Sequence, residues 1–133
     1  MNRHSRLHLE PASPIPIYLQ IAEQLRHRIA AGTLLPDTEL PSVRALASEH
    51  LINPNTVARA YLELEREGLL SKRRGTGTYV STSATKLAAT YRVQAVRDLL
   101  DKTIAAAAEF GLPRKQLRQL FEDRLSAAKE KSA

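Results

Sequence analysis

Asn53-Pro54-Asn55-Thr56-Val57 is the stretch whose reading decides the fold. Asn53 suits a helix N-cap, because its short side-chain oxygen can accept from a first-turn amide that has no intrahelical partner. Pro54 suits the first helical position, where its missing N–H costs nothing and its fixed φ is already helical. The two together predict a sharply started helix. Val57, Ala60, Tyr61 and Leu64 line one face of it, and Asn55, Thr56, Arg59 and Glu63 lie on the exposed side, until Gly68 stops it. An apolar back with short polar side chains at the tip is a shape that fits a DNA major groove.

Downstream, Lys72-Arg73-Arg74-Gly75-Thr76-Gly77-Thr78-Tyr79-Val80 reads as a basic hairpin. Leu69–Lys72 and Thr78–Val80 are short strand candidates, and the two glycines permit the positive φ angles of a tight turn. Upstream, Ile17, Ile21, Leu25 and Ile29 recur every four residues, with Leu19 and Ala22 flanking them, so a first helix starts near Pro16 and ends at Gly32. Pro36-Asp37 makes a turn. Ser42 then caps a short second helix whose Val43, Leu46 and Ala47 face inward. Three helices followed by a cationic hairpin describe a winged helix-turn-helix.

Beyond the hairpin, residues 81–85 read as a linker. Val96, Leu99, Leu100, Ile104, Ala107 and Phe110 form a helical stripe ending at Gly111. After Pro113 a second stripe runs through Leu117, Leu120, Phe121, Leu125 and Ala128. The short connection predicts antiparallel neighbours. The expected fold is therefore mainly α with a small β-wing. Residues 1–13 form a mobile arm, 14–82 the winged helix-turn-helix, and 83–133 a two-helix antiparallel dimerisation hairpin. His4 and His8 have the four-residue spacing of a helical metal pair, but no third ligand is near, and a solvated tail is the preferred reading.

Composition narrows the function classes. The chain of 133 residues has no cysteine, which excludes disulfides and thiolate metal sites. No apolar run approaches the roughly 20 residues of a membrane span, and no apolar stretch follows the N-terminal charges, so a cytoplasmic protein without membrane association is expected. The net charge of +6 does not mark the DNA-binding half. Residues 14–82 hold eight Lys and Arg against seven Asp and Glu, whereas residues 83–133 hold ten against six. Local placement is the better guide: Lys72, Arg73 and Arg74 are consecutive.

From Pro16 to Val80 the chain resembles the GntR family of bacterial transcription regulators, and within it the YtrA-like branch. The resemblance is carried by Pro16-Ile17-Tyr18, Gly32-Thr33-Leu34-Leu35-Pro36, Leu40-Pro41-Ser42-Val43-Arg44-Ala45-Leu46-Ala47 and the Asn53–Val57 phrase. It continues through Ala60-Tyr61, Leu64-Glu65-Arg66-Glu67-Gly68-Leu69 and Gly75–Val80. The short two-helix tail points to the same branch. Three positions depart from the pattern. Leu51 stands where a small or flexible residue is usual, His50 where an apolar one is favoured, and Asp37 where glycine is frequent. These departures are expected to affect local geometry and not the contact residues.

The candidate contacts divide by role. Ser42 and Arg44, at the start of the second helix, look placed to hold the DNA backbone, and the resemblance implies that Arg44 also reaches bases. Asn53, Asn55 and Thr56 sit at the positive dipole end of the third helix, where they could meet phosphate or base edges. Arg59, one turn on, is the candidate for a bidentate guanine contact worth roughly 1–3 kcal/mol of discrimination. Lys72, Arg73, Arg74, Gly75, Thr76 and Gly77 would clamp the adjacent groove. Each has a plainer alternative. Arg44 could pair with Glu39 or Glu49, and Arg59 with Glu63. Thr56 and Asn53 have capping roles. The three wing cations could be a solvated strand edge, and Tyr18, Tyr61 and Tyr79 are expected in the core.

The last fifty residues are too few for a generous core of their own. Packing against a second copy gives a two-fold dimer, and such a dimer should read an inverted repeat with half-sites about 34 Å apart. Folding of the tail back onto its own wing domain is the alternative. The resemblance implies a repressor of its own operon, often one with an ABC transporter. A protein-interaction adapter would need an exposed apolar groove in place of the polar tip. An enzyme would need a nucleophile–base pair, a metal cluster or a cofactor loop, and the sequence offers none. No cofactor is expected. A small-molecule effector is left open, with Tyr91, Arg92 and Phe110 as neighbouring residues.

Overall fold

The computed structural model describes residues 6–132. Three helices lead: α1 (Ile17–Ala30), α2 (Val43–His50) and α3 (Pro54–Arg66). A hairpin of β1 (Leu70–Arg73) and β2 (Gly77–Val80) follows, and then α4 (Ala84–Leu87), α5 (Ala89–Glu109) and α6 (Arg114–Ser132). The chain divides between Val93 and Gln94 into two compact units.

The first unit is built around α3. Val57, Ala60, Tyr61 and Leu64 are buried, and α1 and α2 both pack on that face. Ile21, Ala22, Leu25 and Ile29 of α1 and Leu46 and Ala47 of α2 complete the same cluster. Full burial of a Leu or Ile side chain is worth about 1.5–3 kcal/mol, so this cluster dominates the stability of the unit. The helix starts follow local chemistry. Ser42 Oγ accepts from Ala45 N–H at 3.0 Å, and Asn53 Oδ1 accepts from Asn55 N–H at 2.8 Å. Buried Tyr61 spends its hydroxyl on Pro41, donating to the carbonyl at 2.7 Å. Burial also pushes its phenol pKa up.

The turn between α2 and α3 carries its strain at Leu51, which has φ +54° and a side chain 92% exposed. A β-carbon in the left-handed region costs about 1–2 kcal/mol. The backbone holds it there: Ile52 N–H closes on Ala47 O at 3.0 Å, the long bond of a helix-ending Schellman turn. Asp37 is the other non-glycine residue with positive φ among those described, at +68°.

The wing is a two-stranded antiparallel sheet in which Ser71 faces Tyr79, Lys72 faces Thr78 and Arg73 faces Gly77. The segment before α2 lies along its other edge. Leu40 N–H donates to Thr78 O at 2.8 Å, Val80 N–H to Thr38 O at 2.9 Å and Asp37 N–H to Val80 O at 2.8 Å. The two-stranded wing is as expected, and the 37–40 strip adds an isolated bridge, Glu39 to Tyr79, along its edge. The strip's signal was hidden because pairing across some forty residues leaves no local pattern.

Two boundaries need correction. Residues 6–13, expected as part of a mobile arm, lie against the helices: Leu7 is buried in the core, and its N–H donates to His50 Nε2 at 2.9 Å. Gln24 and Gln20 pair with the backbone of His8 and Glu10. The His50 departure therefore has a structural use, as acceptor for this strap. Of the proposed histidine pair, His4 lies outside the described residues, while His8 meets Glu10 at 3.0 Å. The expected linker at 81–85 is also ordered. Ala84 begins α4, and Ala84 and Ala88 are buried in the same core, so the winged unit extends to Val93 and not to residue 82. A helix of four residues is too short to register as a period.

In the second unit, α5 turns into α6 through Gly111, whose φ is +67°. Ala107 is buried and Leu112 and Leu117 are half-buried near this turn. The rest of both stripes stays open: Leu99 is 62% exposed, Ile104 56%, Phe110 87% and Leu125 49%.

Candidate nucleic-acid interface

The first half of α3 supplies the candidate reading surface. Asn53 is committed to its cap, and Pro54 occupies the first turn behind it. Asn55 and Arg59 are exposed, while Thr56 is half-buried and donates its N–H to Asn53 O at 3.0 Å. Arg59 forms no ion pair with Glu63. Its guanidinium instead lies over the ring of Tyr18 of α1, 3.8 Å from the centroid. Such stacking contributes about 0.5–1 kcal/mol at an exposed site, and it limits the directions in which the planar fork can point. Tyr18 packs against the core, as expected, and also supports Arg59.

Ser42 and Arg44 stand at the start of α2, which packs on α3. Ser42 caps, and Arg44 is exposed with no ion pair to Glu39 or Glu49 among the described residues. The structure therefore brings Ser42, Arg44 and the α3 tip into one helix-turn-helix, with the wing directly following α3.

In the wing the three consecutive cations differ. Lys72 Nζ lies 3.8 Å from Glu65 Oε1. Arg73 pairs with Asp37 and also lies over the Tyr79 ring, 4.0 Å from its centroid. Arg74 has no partner among the described residues. Gly75 and Gly77 have φ of +77° and +137°, and a β-carbon at Gly77 would come within 3.0 Å of Glu39 Oε2. Thr76 is exposed, and its hydroxyl donates to Arg73 O at 3.1 Å. The expectation that the Asp37 departure leaves the contact residues alone is corrected here, since Asp37 holds one of them.

Sequence reasoning missed Tyr18, Tyr79, Asp37 and Glu65 as supporting residues. Tyr79 was within reach, because hairpin pairing places Arg73 diagonally across from it, where long side chains meet. The Arg59–Tyr18 and Arg73–Asp37 pairs join different elements and leave no local trace.

Farther from the tip, Arg26 ties α1 to the end of α3 by a two-pronged pair with Glu67, with Glu23 also attached. The Glu67 hydrogen bonds push the Arg26 pKa up. Tyr91 donates to Glu23, and burial together with this partner pushes its phenol up to about 12. Arg92 reaches Ala30 O and Thr85 O. Two of the three residues suggested beside an effector are therefore spent on internal bonds. Among the described residues no cluster of His, Asp or Glu suits a metal, and no helix is long and apolar enough to cross a membrane.

The sequence profile of the bacterial regulatory proteins of the gntR family matches residues 17–80. The chain is 36% identical over 117 residues to the HTH-type transcriptional repressor YtrA of Bacillus subtilis, spanning 88% of this chain and 90% of that protein. A transcriptional regulator from Oenococcus oeni superposes with a TM-score of 0.73 at 29% identity, covering 88% of this chain and 97% of that one. The DNA-binding domain of AraR, solved in complex with operator ORX1, superposes with a TM-score of 0.50 at 31% identity, over 56% of this chain and 93% of that domain. With its winged helix-turn-helix and these relatives, which are regulators and not enzymes, the chain belongs to the GntR family of DNA-binding transcription regulators.

Proposed function

We propose that the protein is a homodimeric repressor that binds an inverted-repeat operator. The observation carrying this reading is the first half of α3: a capped helix with Asn55 exposed and the Arg59 guanidinium braced on Tyr18. Asn55, Thr56 and Arg59 would read base edges, with Arg59 directed at guanine. Ser42, Arg44 and the capped turn at Asn53 would hold phosphates and set the register. Lys72, Arg73, Arg74 and the Gly75-Thr76-Gly77 backbone would grip the flanking groove. The operator complex of the related AraR domain supports duplex DNA as partner, and the naming of the related YtrA protein supports repression.

The dimer reading rests on the second unit. Val96, Leu99, Leu100 and Ile104 on α5, with Leu120, Phe121 and Leu125 on α6, are large apolar side chains left exposed, and apolar surface of this kind marks interaction sites when it is contiguous. A second copy would cover it and present two α3 tips to two half-sites. The family resemblance supports its own operon, with an ABC transporter, as target. The chain would act in the cytoplasm, where the chromosome lies. An effector, where one acts, would bind between subunits.

The test is a footprint on the DNA upstream of the gene, combined with sedimentation of the purified protein. A symmetric protected inverted repeat and a dimer in solution are expected. A protein that protects no upstream sequence, or that stays monomeric while protecting one, would overturn the corresponding half of the reading.

A further inference from the structure

The wing is less cationic than its sequence. Three carboxylates surround it: Asp37 on Arg73, Glu65 near Lys72, and Glu39 against Gly77. Asp37 differs from the others in making the shorter of the two ion pairs with a wing cation. Its positive φ of +68° and its N–H bond to Val80 O at 2.8 Å fix its backbone to β2, and the neighbouring Thr38 O accepts from Val80 N–H at 2.9 Å. That strip fixes where the side chain starts, and the pairing with Arg73 holds its carboxylate. Arg73 is held on a second side by the Tyr79 ring at 4.0 Å. Both charged side chains remain about half exposed, at 44% for Arg73 and 55% for Asp37, so the pair is open to an anion approaching from solvent.

We propose that Asp37 is a built-in competitor of DNA: its anchored carboxylate occupies the Arg73 guanidinium as a phosphate would, lowering affinity for every duplex and flattening the salt dependence of binding. This rests on the reading of the wing as a DNA clamp. An arginine already holding an anion exchanges one charged partner for another when DNA binds. Fewer counterions are then released per cation than the run Lys72-Arg73-Arg74 implies. The fixed negative charge also repels the phosphates beside it. Arg74, without such a partner among the described residues, carries the wing's unopposed charge.

The experiment measures fluorescence anisotropy of the full chain on a mixed-sequence duplex of about 30 base pairs across a salt series, which needs no knowledge of the operator. Asp37→Asn removes the charge and keeps a side chain that tolerates positive φ; Asp37→Gly removes the side chain and relieves the backbone. Both variants should bind about 3–10-fold more tightly at low salt, with a log–log salt slope steeper by up to about 0.9. In an Arg73→Ala background the same Asp37→Asn change should lose most of that gain. Unchanged or weaker binding by both variants overturns the proposal, as does an equal gain with and without Arg73. Loss of the folded circular dichroism signal by Asp37→Asn leaves Asp37→Gly to decide. A wild-type protein that binds no duplex at any salt would instead sink the DNA-clamp reading itself, and this proposal with it.

Discussion

The two units of this chain treat their apolar side chains in opposite ways. In the winged unit, Ile21, Leu46, Val57 and Leu64 are no more than 1% exposed, and α1, α2, α3, the wing and α4 close over one another. In the second unit, stripes of the same residue types stand open, with Leu99 62% and Ile104 56% exposed. Both units obey the same helical period. The difference is that the first finds its complementary surfaces within one chain, whereas a pair of helices has only two faces to offer each other. Amphipathic pattern therefore tells where a surface needs covering, and the number of neighbouring elements decides whether the chain itself can cover it.

Five substitutions put this difference to the test. Leu64→Ala should have the largest effect, destabilising the winged unit by about 2–5 kcal/mol in urea denaturation, because Leu64 is fully buried in the core. Ile104→Asp in the open stripe should leave that unfolding midpoint unmoved. Sedimentation should show it driven towards monomer, with operator affinity reduced on the order of 100-fold as the second half-site contact is lost. Equal denaturation shifts for the two variants would erase the distinction between the units.

Within the winged unit, Arg59→Ala should cost about 1–3 kcal/mol and relax preference at one base of each half-site, as read by competition with mutated operators. Arg73→Ala should weaken all sequences alike. Matching selectivity profiles would refute the split between a reading helix and a clamping wing. The smallest effect is expected at Leu51→Gly. Relief of the left-handed strain, worth about 1–2 kcal/mol, is offset by the added chain entropy of glycine, about 0.4–1 kcal/mol, leaving a gain of about 0–1.6 kcal/mol in thermal melting.

Much of the fold was legible because its signals are local. A cap and the amide it satisfies lie two or three residues apart at Asn53 and Ser42. The hairpin announces itself through glycines on either side of Thr76, and the α1 and α3 faces through a regular period. The α3 tip was legible for the same reason, since polar residues opposite an apolar stripe must point away from the core. Leu51 illustrates the middle ground: the family pattern marked it as a position of strain, and the structure shows the positive φ.

What the residues determine unaided, then, is where helices start and stop, where the wing turns and which faces are apolar, because each of these depends on neighbours within about a helical turn. Only the tertiary structure decided that residues 6–13 are strapped down through His50, that α4 completes the core, and that Arg59 rests on Tyr18. It also decided that Arg73 is shared between Tyr79 and an aspartate 36 residues away. Long cationic side chains reach whatever acid or ring the fold carries to them. Their partners are set by the packing of distant segments, and a local run of charge contains no record of it.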